Sequence, residues 1–273
     1  MNTNDEYIAG VDIGGSHITV ALVDLKTREI IENTLVRKSI NAKEAADYLI
    51  QTWATIIKES FGKMNLLPGK VGIAFPGPFN YSKGICLIKE QNKYRSLYRL
   101  NLRELLSEQL NIPGENIMFR NDAACFLQGE IYTAPAGQLH NAAGITLGTG
   151  LGSAYNINGL AVDAELWKMP FKKGIAEDYL SGRGIIQLYN EITGNTAENV
   201  KEIVDRYKTN NDPLIALTFQ RFGELMGEFI VKLTEENNIQ HIILGGNITK
   251  TWNLFAPALK KVLEKEQLSI AVR

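Results

Sequence analysis

The stretch GVDIGGSHITVALVD, residues 10–24, places β-rich apolar runs on both sides of a turn at Gly14-Gly15-Ser16. The pattern returns as GITLGTGLGSAYNINGLAV, residues 144–162, with its turn at Gly148–Gly152. A chain that carries one hairpin unit twice, each followed by helical patterns, is constrained to two similar halves. The repeat predicts an α/β fold of two like domains, residues 1–120 and 121–273, with a ligand cleft between them. The 273 residues are 45% hydrophobic, enough for cores of that size.

Residues 7–13, 18–24 and 29–36 read as strands of an antiparallel meander. Ala45, Leu49, Trp53, Ile56 and Ile57 recur at helical spacing, and KVGIAFPGP holds a buried-type strand over 71–75 stopped by Pro-Gly-Pro. NLRELLSEQL reads as an amphipathic helix. NIMFR reads as a strand leading to a helix entered at Asn121 or Asp122, both good N-cap types. The second half adds a long helix through Leu217, Phe222, Leu225, Met226, Phe229 and Leu233, a strand HIILGGN, and a last helix over 255–266.

The 29 basic and 30 acidic residues leave a net charge of −1, so charge gives no case for nucleic acid or an anionic membrane as partner. Cys86 and Cys125 form no CxxC pair, against a disulfide scaffold or zinc ribbon. No signal peptide or bilayer-length apolar run is present, and a cytoplasmic setting is expected.

Glycine lets the main chain approach an oxyanion and offer its N–H groups as donors. Gly14, Gly15, Gly148, Gly150 and Gly152 suit that task, with hydroxyls from Ser16 and Thr149. Asp12 sits where a carboxylate would face a phosphate across Mg²⁺; a turn-capping role is its plain alternative. Gly245-Gly246 reads equally as a helix-entry turn or as backbone approaching a nucleotide base. GTGLGS breaks the dinucleotide fingerprint at Ser153, and no Walker A run occurs. Asp122 follows a strand, where open α/β sheets place ligands; it reads as a helix cap or, with Asn121 beside it, as a base for a polyol hydroxyl. Glu165 and Glu177 by themselves read as surface charges. His17, His140 and His241 show no metal-ligand spacing.

Together DIGGSHI, GIAFPGPFN, NDAACFLQGE, GITLGTGLGSA and IILGGN, in this order over nearly the whole chain, resemble the ROK family of sugar kinases and sugar-responsive repressors. That family belongs to the actin-like (ribonuclease H-like) ATPase superfamily. The resemblance implies ATP-Mg²⁺ with its phosphates against Gly14, Gly15, Ser16 and Gly148–Gly152, Asp12 holding the metal directly or through water, and Gly245-Gly246 at the nucleotide. It implies Asp122 as catalytic base and Asn121, Glu165 and Glu177 on the sugar. Gly77 and Asn80 belong to the segment PGPFN, on the sugar side, and Asn92 is a further candidate there. It also implies a homodimer. Three departures stand out. Lys168 replaces the family's zinc histidine and the cysteine cluster is reduced to MPFKKG, which predicts no zinc and leaves Trp167, Met169 and Phe171 to pack around the two glutamates. No helix-turn-helix precedes the first turn, so DNA binding is not expected. The chain ends at SIAVR, where members usually continue into another strand and helix. The expected activity is phosphorylation of a hexose or aminohexose, glucose first. The alternatives are a sugar-binding sensor without turnover and a kinase that uses polyphosphate.

Overall fold

The computed structural model describes residues 6–89, 93–135, 137–268 and 270–272. Asn92 lies outside them. The chain divides into two compact units between Asp122 and Ala123.

In the first unit β1 (Tyr7–Ile13), β2 (His17–Asp24) and β3 (Val36–Ser39) form the antiparallel meander. After α1 (Ala46–Gly62), β4 (Lys70–Phe75) lies parallel to β1. A small hairpin, β5 (Phe79–Asn80) and β6 (Ile85–Cys86), and helix α2 (Leu102–Leu110) lead to β7 (Ile117–Asn121), parallel to β4. The sheet order is β3-β2-β1-β4-β7. The expected strand over 29–36 is not formed; a 3-10 turn, Glu32–Thr34, stands there and β3 begins at Val36. The cause is Thr34, whose buried hydroxyl accepts the Leu22 N–H at 2.8 Å and donates to the Ile31 carbonyl at 2.6 Å. A side chain thus takes the place of a ladder bond.

Buried Trp53 and Phe61 of α1 pack under the sheet, where Trp53 meets Phe75 and Tyr94 edge-on at 5.8 and 5.5 Å. Each such buried side chain contributes about 1.5–3 kcal/mol. Asn101 caps α2 by accepting the Arg103 and Glu104 N–H groups.

Helix α3 (Asp122–Thr133) starts on the last residue of the first unit and opens the second, where it precedes β8 (Ala142–Leu147), β9 (Leu151–Ile157) and β10 (Leu160–Asp163). A short hairpin, β11 (Pro170–Phe171) and β12 (Gly174–Ile175), is followed by α4 (Ala176–Tyr179), α5 (Gly182–Thr193), α6 (Val200–Asn210) and α7 (Pro213–Glu236). β13 (His241–Gly245), α8 (Trp252–Lys265) and β14 (Ala271–Val272) complete it. The order is β10-β9-β8-β13-β14, the first unit's arrangement strand for strand. α7 starts under an Asp212 cap with Pro213 in its first turn and buries Phe219, Phe222, Phe229 and Leu233. Among the described residues no helix is long and apolar enough to cross a membrane.

Candidate functional site

The strands β1 and β2 deliver Gly14-Gly15-Ser16 at their shared end. The Gly14 N–H donates to the His17 carbonyl at 2.9 Å and closes the turn. Neither glycine has left-handed backbone. A side chain would meet nothing nearer than the His17 oxygen at 3.6 Å from Gly14, or Lys93 Cδ at 3.7 Å from Gly15, which is ordinary contact. The protein's own packing therefore does not require glycine at either position. What the missing side chains leave is bare main chain with room for a Cβ in ordinary contact, a cradle a Cβ would fill. Exposed Ser16 sets its Oγ 2.9 Å from His17 Nδ1.

Asp12, two residues ahead of Gly14, keeps solvent access, yet the surrounding chain raises its pKa by desolvation. The negative charge of Asp122 raises it further and Arg37 opposes. A cation beside Asp12 would remove that repulsion, and one carboxylate with phosphate oxygens and water is a donor set Mg²⁺ accepts. Among the described residues no three His, Cys, Asp or Glu side chains gather as a metal set.

Asp122 opens α3 directly from the end of β7 and is exposed there. Asn121, paired in register with Phe75, donates from Nδ2 to Tyr81 Oη at 3.3 Å. Tyr81 in turn donates to the Phe75 carbonyl at 3.0 Å. Its hydroxyl also lies 3.5 Å from where a Gly77 side chain would begin. Tyr81 therefore ties Gly77 and Asn121 into one cluster, a link no sequence pattern announces. Asn80 is occupied locally: its Oδ1 accepts from Ser82 Oγ at 2.9 Å and the Lys83 N–H at 3.0 Å, holding the β5–β6 turn.

The second glycine turn joins β8 to β9. The Gly148 N–H donates to the Gly150 carbonyl at 3.0 Å, while the Gly148 carbonyl accepts the Gly182 N–H from the start of α5 at 2.8 Å. A side chain on Gly148 would meet no described atom within 4 Å, and Thr149 is exposed beside it. The remaining glycines have packing reasons. A side chain at Gly150 would collide with Glu177 Oε2, one at Gly152 with Thr146 Oγ1, and one at Gly245 with the Phe126 ring. Gly246 has φ +89° and backs onto the Leu147 main chain, next to Gly148.

Glu177 lies against this turn. Its Oε2 accepts the Leu151 N–H at 3.0 Å and its Oε1 pairs with Arg183. Glu165 is exposed, with left-handed backbone at φ 48°, and pairs with Lys168 at 2.5 Å. A non-glycine residue in that region is a strained conformation of the kind found at functional sites. Trp167 does not pack around the glutamates as expected: it is exposed, because the segment is pinned instead by the Leu166 N–H donating to buried Ser153 Oγ at 2.9 Å. Phe171 is buried, edge-on to Tyr179 and Phe229.

Residues 8–163 and 171–270 match the ROK family. The chain is 25% identical to the N-acetyl-D-glucosamine kinase of Haemophilus influenzae (strain 86-028NP), over 93% of this chain and 88% of that one. It is 24% identical to the N-acetylgalactosamine kinase of Shewanella sp. (strain ANA-3), over 90% and 83%. Its fold matches that of a ROK family glucokinase from Streptomyces griseus, solved with glucose and AMPPNP, at a TM-score of 0.75, 18% identity, and 97% and 93% coverage. With a match over most of its length and the two-unit α/β fold of actin-like ATPases, this chain belongs to the ROK family.

Proposed function

We propose that this phosphotransferase moves the γ-phosphoryl group of ATP to a hydroxyl of an N-acetylhexosamine or hexose. The observation that carries the reading is the open glycines: Gly14, Gly15 and Gly148 lack side chains where neither packing nor backbone conformation asks for it. A bare glycine turn of this kind suits phosphate oxygens, and each unit carries one at the matching strand joint. Asp122 accepts the acceptor hydroxyl's proton, the hydroxyl oxygen bonds to the γ-phosphorus, and the bond to the leaving oxygen of ADP breaks. Asn121, held by Tyr81, orients the acceptor; the family resemblance adds Glu165 and Glu177 as sugar contacts. Mg²⁺, when bound at Asp12, neutralises phosphate charge.

The curated relatives act on N-acetylhexosamines, which moves these sugars ahead of glucose as first choice. The family resemblance adds a homodimer in a cytoplasmic setting, with light scattering the test of the dimer. Nucleotide consumption against N-acetylglucosamine, N-acetylgalactosamine, N-acetylmannosamine and glucose, with ATP and then polyphosphate as donor, tests the reading. Turnover with one or more of these sugars is expected; sugar binding without consumption of either donor would make the protein a sensor.

A further inference from the structure

The segment that carries Tyr81 returns at residues 93–98 to the first glycine turn. Tyr94 has left-handed backbone, φ 57°, and is fully buried. Its ring stacks at a tilt on Phe75, centroids 5.2 Å apart, and edge-on to Trp53. Its N–H donates to the Ala42 carbonyl at 2.7 Å. From this socket the Tyr94 hydroxyl donates to the carbonyl of Gly14 at 2.5 Å. Burial, with the charges of Asp12 and Cys86 adding, pushes the phenol far above its ordinary pKa, so it stays a donor. The neighbouring residue, Lys93, runs its side chain past Gly15, with Cδ 3.7 Å from where a Cβ would sit.

A buried tyrosine on the first carbonyl of an otherwise open turn decides which way that peptide faces. The Gly14 N–H is spent on the His17 carbonyl, but with the Gly14 carbonyl tied inward the Gly15 N–H, on the same trans peptide, faces the opposite way, toward a ligand. We infer that Lys93 and Tyr94 form a positioning arm for this turn: Tyr94 fixes the Gly14 peptide, and Lys93 lays its aliphatic stem beside Gly15, from where its ammonium can turn to an incoming polyphosphate chain. The same stretch of chain also holds Asn121 through Tyr81, so one loop braces both the acceptor side and the phosphate side of the first unit.

The inference rests on the reading of Gly14–Ser16 as a phosphate turn, and the test separates the two. Tyr94→Phe keeps the ring and removes the hydroxyl. Its KM for MgATP should rise about tenfold, the value of one buried hydrogen bond, while the KM for sugar changes less than about twofold. Lys93→Met, outside the core, should raise the KM for MgATP without lowering the melting temperature. Phe61→Leu, a buried change away from the turn, serves as the control: it should lower the melting temperature and leave both KM values unchanged. If Tyr94→Phe and Lys93→Met both keep wild-type KM for MgATP in an enzyme that turns over, the arm is overturned and the kinase reading stands. If wild-type protein neither binds nor consumes MgATP, the phosphate turn itself is overturned, and the arm with it.

Discussion

The two units are built on one plan and differ at the joint that matters. Both sheets run in the same order and both place an open glycine at the end of the central strand, Gly14 after β1 and Gly148 after β8. Both anchor that glycine's carbonyl from outside the hairpin, but the donor is a tyrosine hydroxyl in the first unit and the Gly182 N–H of α5 in the second. Two residues before the glycine, the first unit has Asp12 and the second Thr146. Asp12 is crowded by Asp122, while Thr146 fills the room left by Gly152. A repeated scaffold has thus kept the glycine turn twice and placed a carboxylate before it in one copy only. On the proposed reading, Asp12 is the carboxylate that would meet the metal, and the second turn has no counterpart to it.

The strongest way to break this asymmetry is to remove the proposed base, Asp122, from the first unit. Asp122→Asn should lower kcat by about 10²–10⁴-fold with the sugar KM nearly unchanged, measured by steady-state kinetics. A variant that keeps most of its kcat would move the proton acceptor elsewhere. The next effect compares Asp12 with its counterpart. Asp12→Asn should weaken MgATP use by about 10–100-fold, the range for residues that hold a metal directly or through its ligands, and excess Mg²⁺ should recover part of the loss. Thr146→Val should change it little. Equal losses would mean that the two turns share the metal.

Glycine substitutions sharpen the comparison from another side. Gly14→Ala and Gly148→Ala have neither a clash nor a left-handed φ, so they should melt at or above the wild-type temperature, gaining up to about 1 kcal/mol from a stiffer unfolded chain. They should nevertheless lose MgATP affinity. Gly246→Ala meets the Leu147 main chain at φ +89° and should cost about 1–3 kcal/mol of stability. Thermal melts with and without MgATP separate the two classes.

The repeat, the strands around it and the helices were legible because hydrophobic period and glycine tips are local signals. Asp12 and Asp122 were legible as candidates because each follows or ends an apolar strand run. The break of the third strand at Thr34 was not, since it depends on one hydroxyl satisfying Leu22 across the sheet. Tyr81 and Tyr94 were hidden for the same reason: each acts through one hydroxyl on a group far away in sequence, Tyr81 accepting from Asn121 across 40 positions and Tyr94 donating to Gly14 across 80. Sequence also made one class of the glycines, whereas the structure separates those that leave space from those that fill a contact. Likewise it offered Trp167 and Phe171 as equal packing residues, and only Phe171 is buried.

The smallest expected effect concerns pH and again sets Asp12 against Thr146. The pKa of Asp12 lies above its ordinary 3.8, by desolvation first and Asp122 second. The folded state therefore holds this proton more tightly than the unfolded state, and stability falls as pH rises through the window from 3.8 to the raised value. At about pH 7 the ionised carboxylate is a net cost to the ligand-free fold. Asp12→Asn removes it, so the variant should melt above wild type at about pH 7, with the gap closing toward about pH 4. MgATP should reverse the order, because a cation stabilises the ionised carboxylate of wild type and has none to meet in the variant. Thr146→Val carries no titrating group, and its melting curve should run parallel to wild type across the range. If Asp12→Asn also runs parallel, with and without MgATP, the acid of the first unit is not under strain, and the asymmetry between the two turns lies in shape rather than charge.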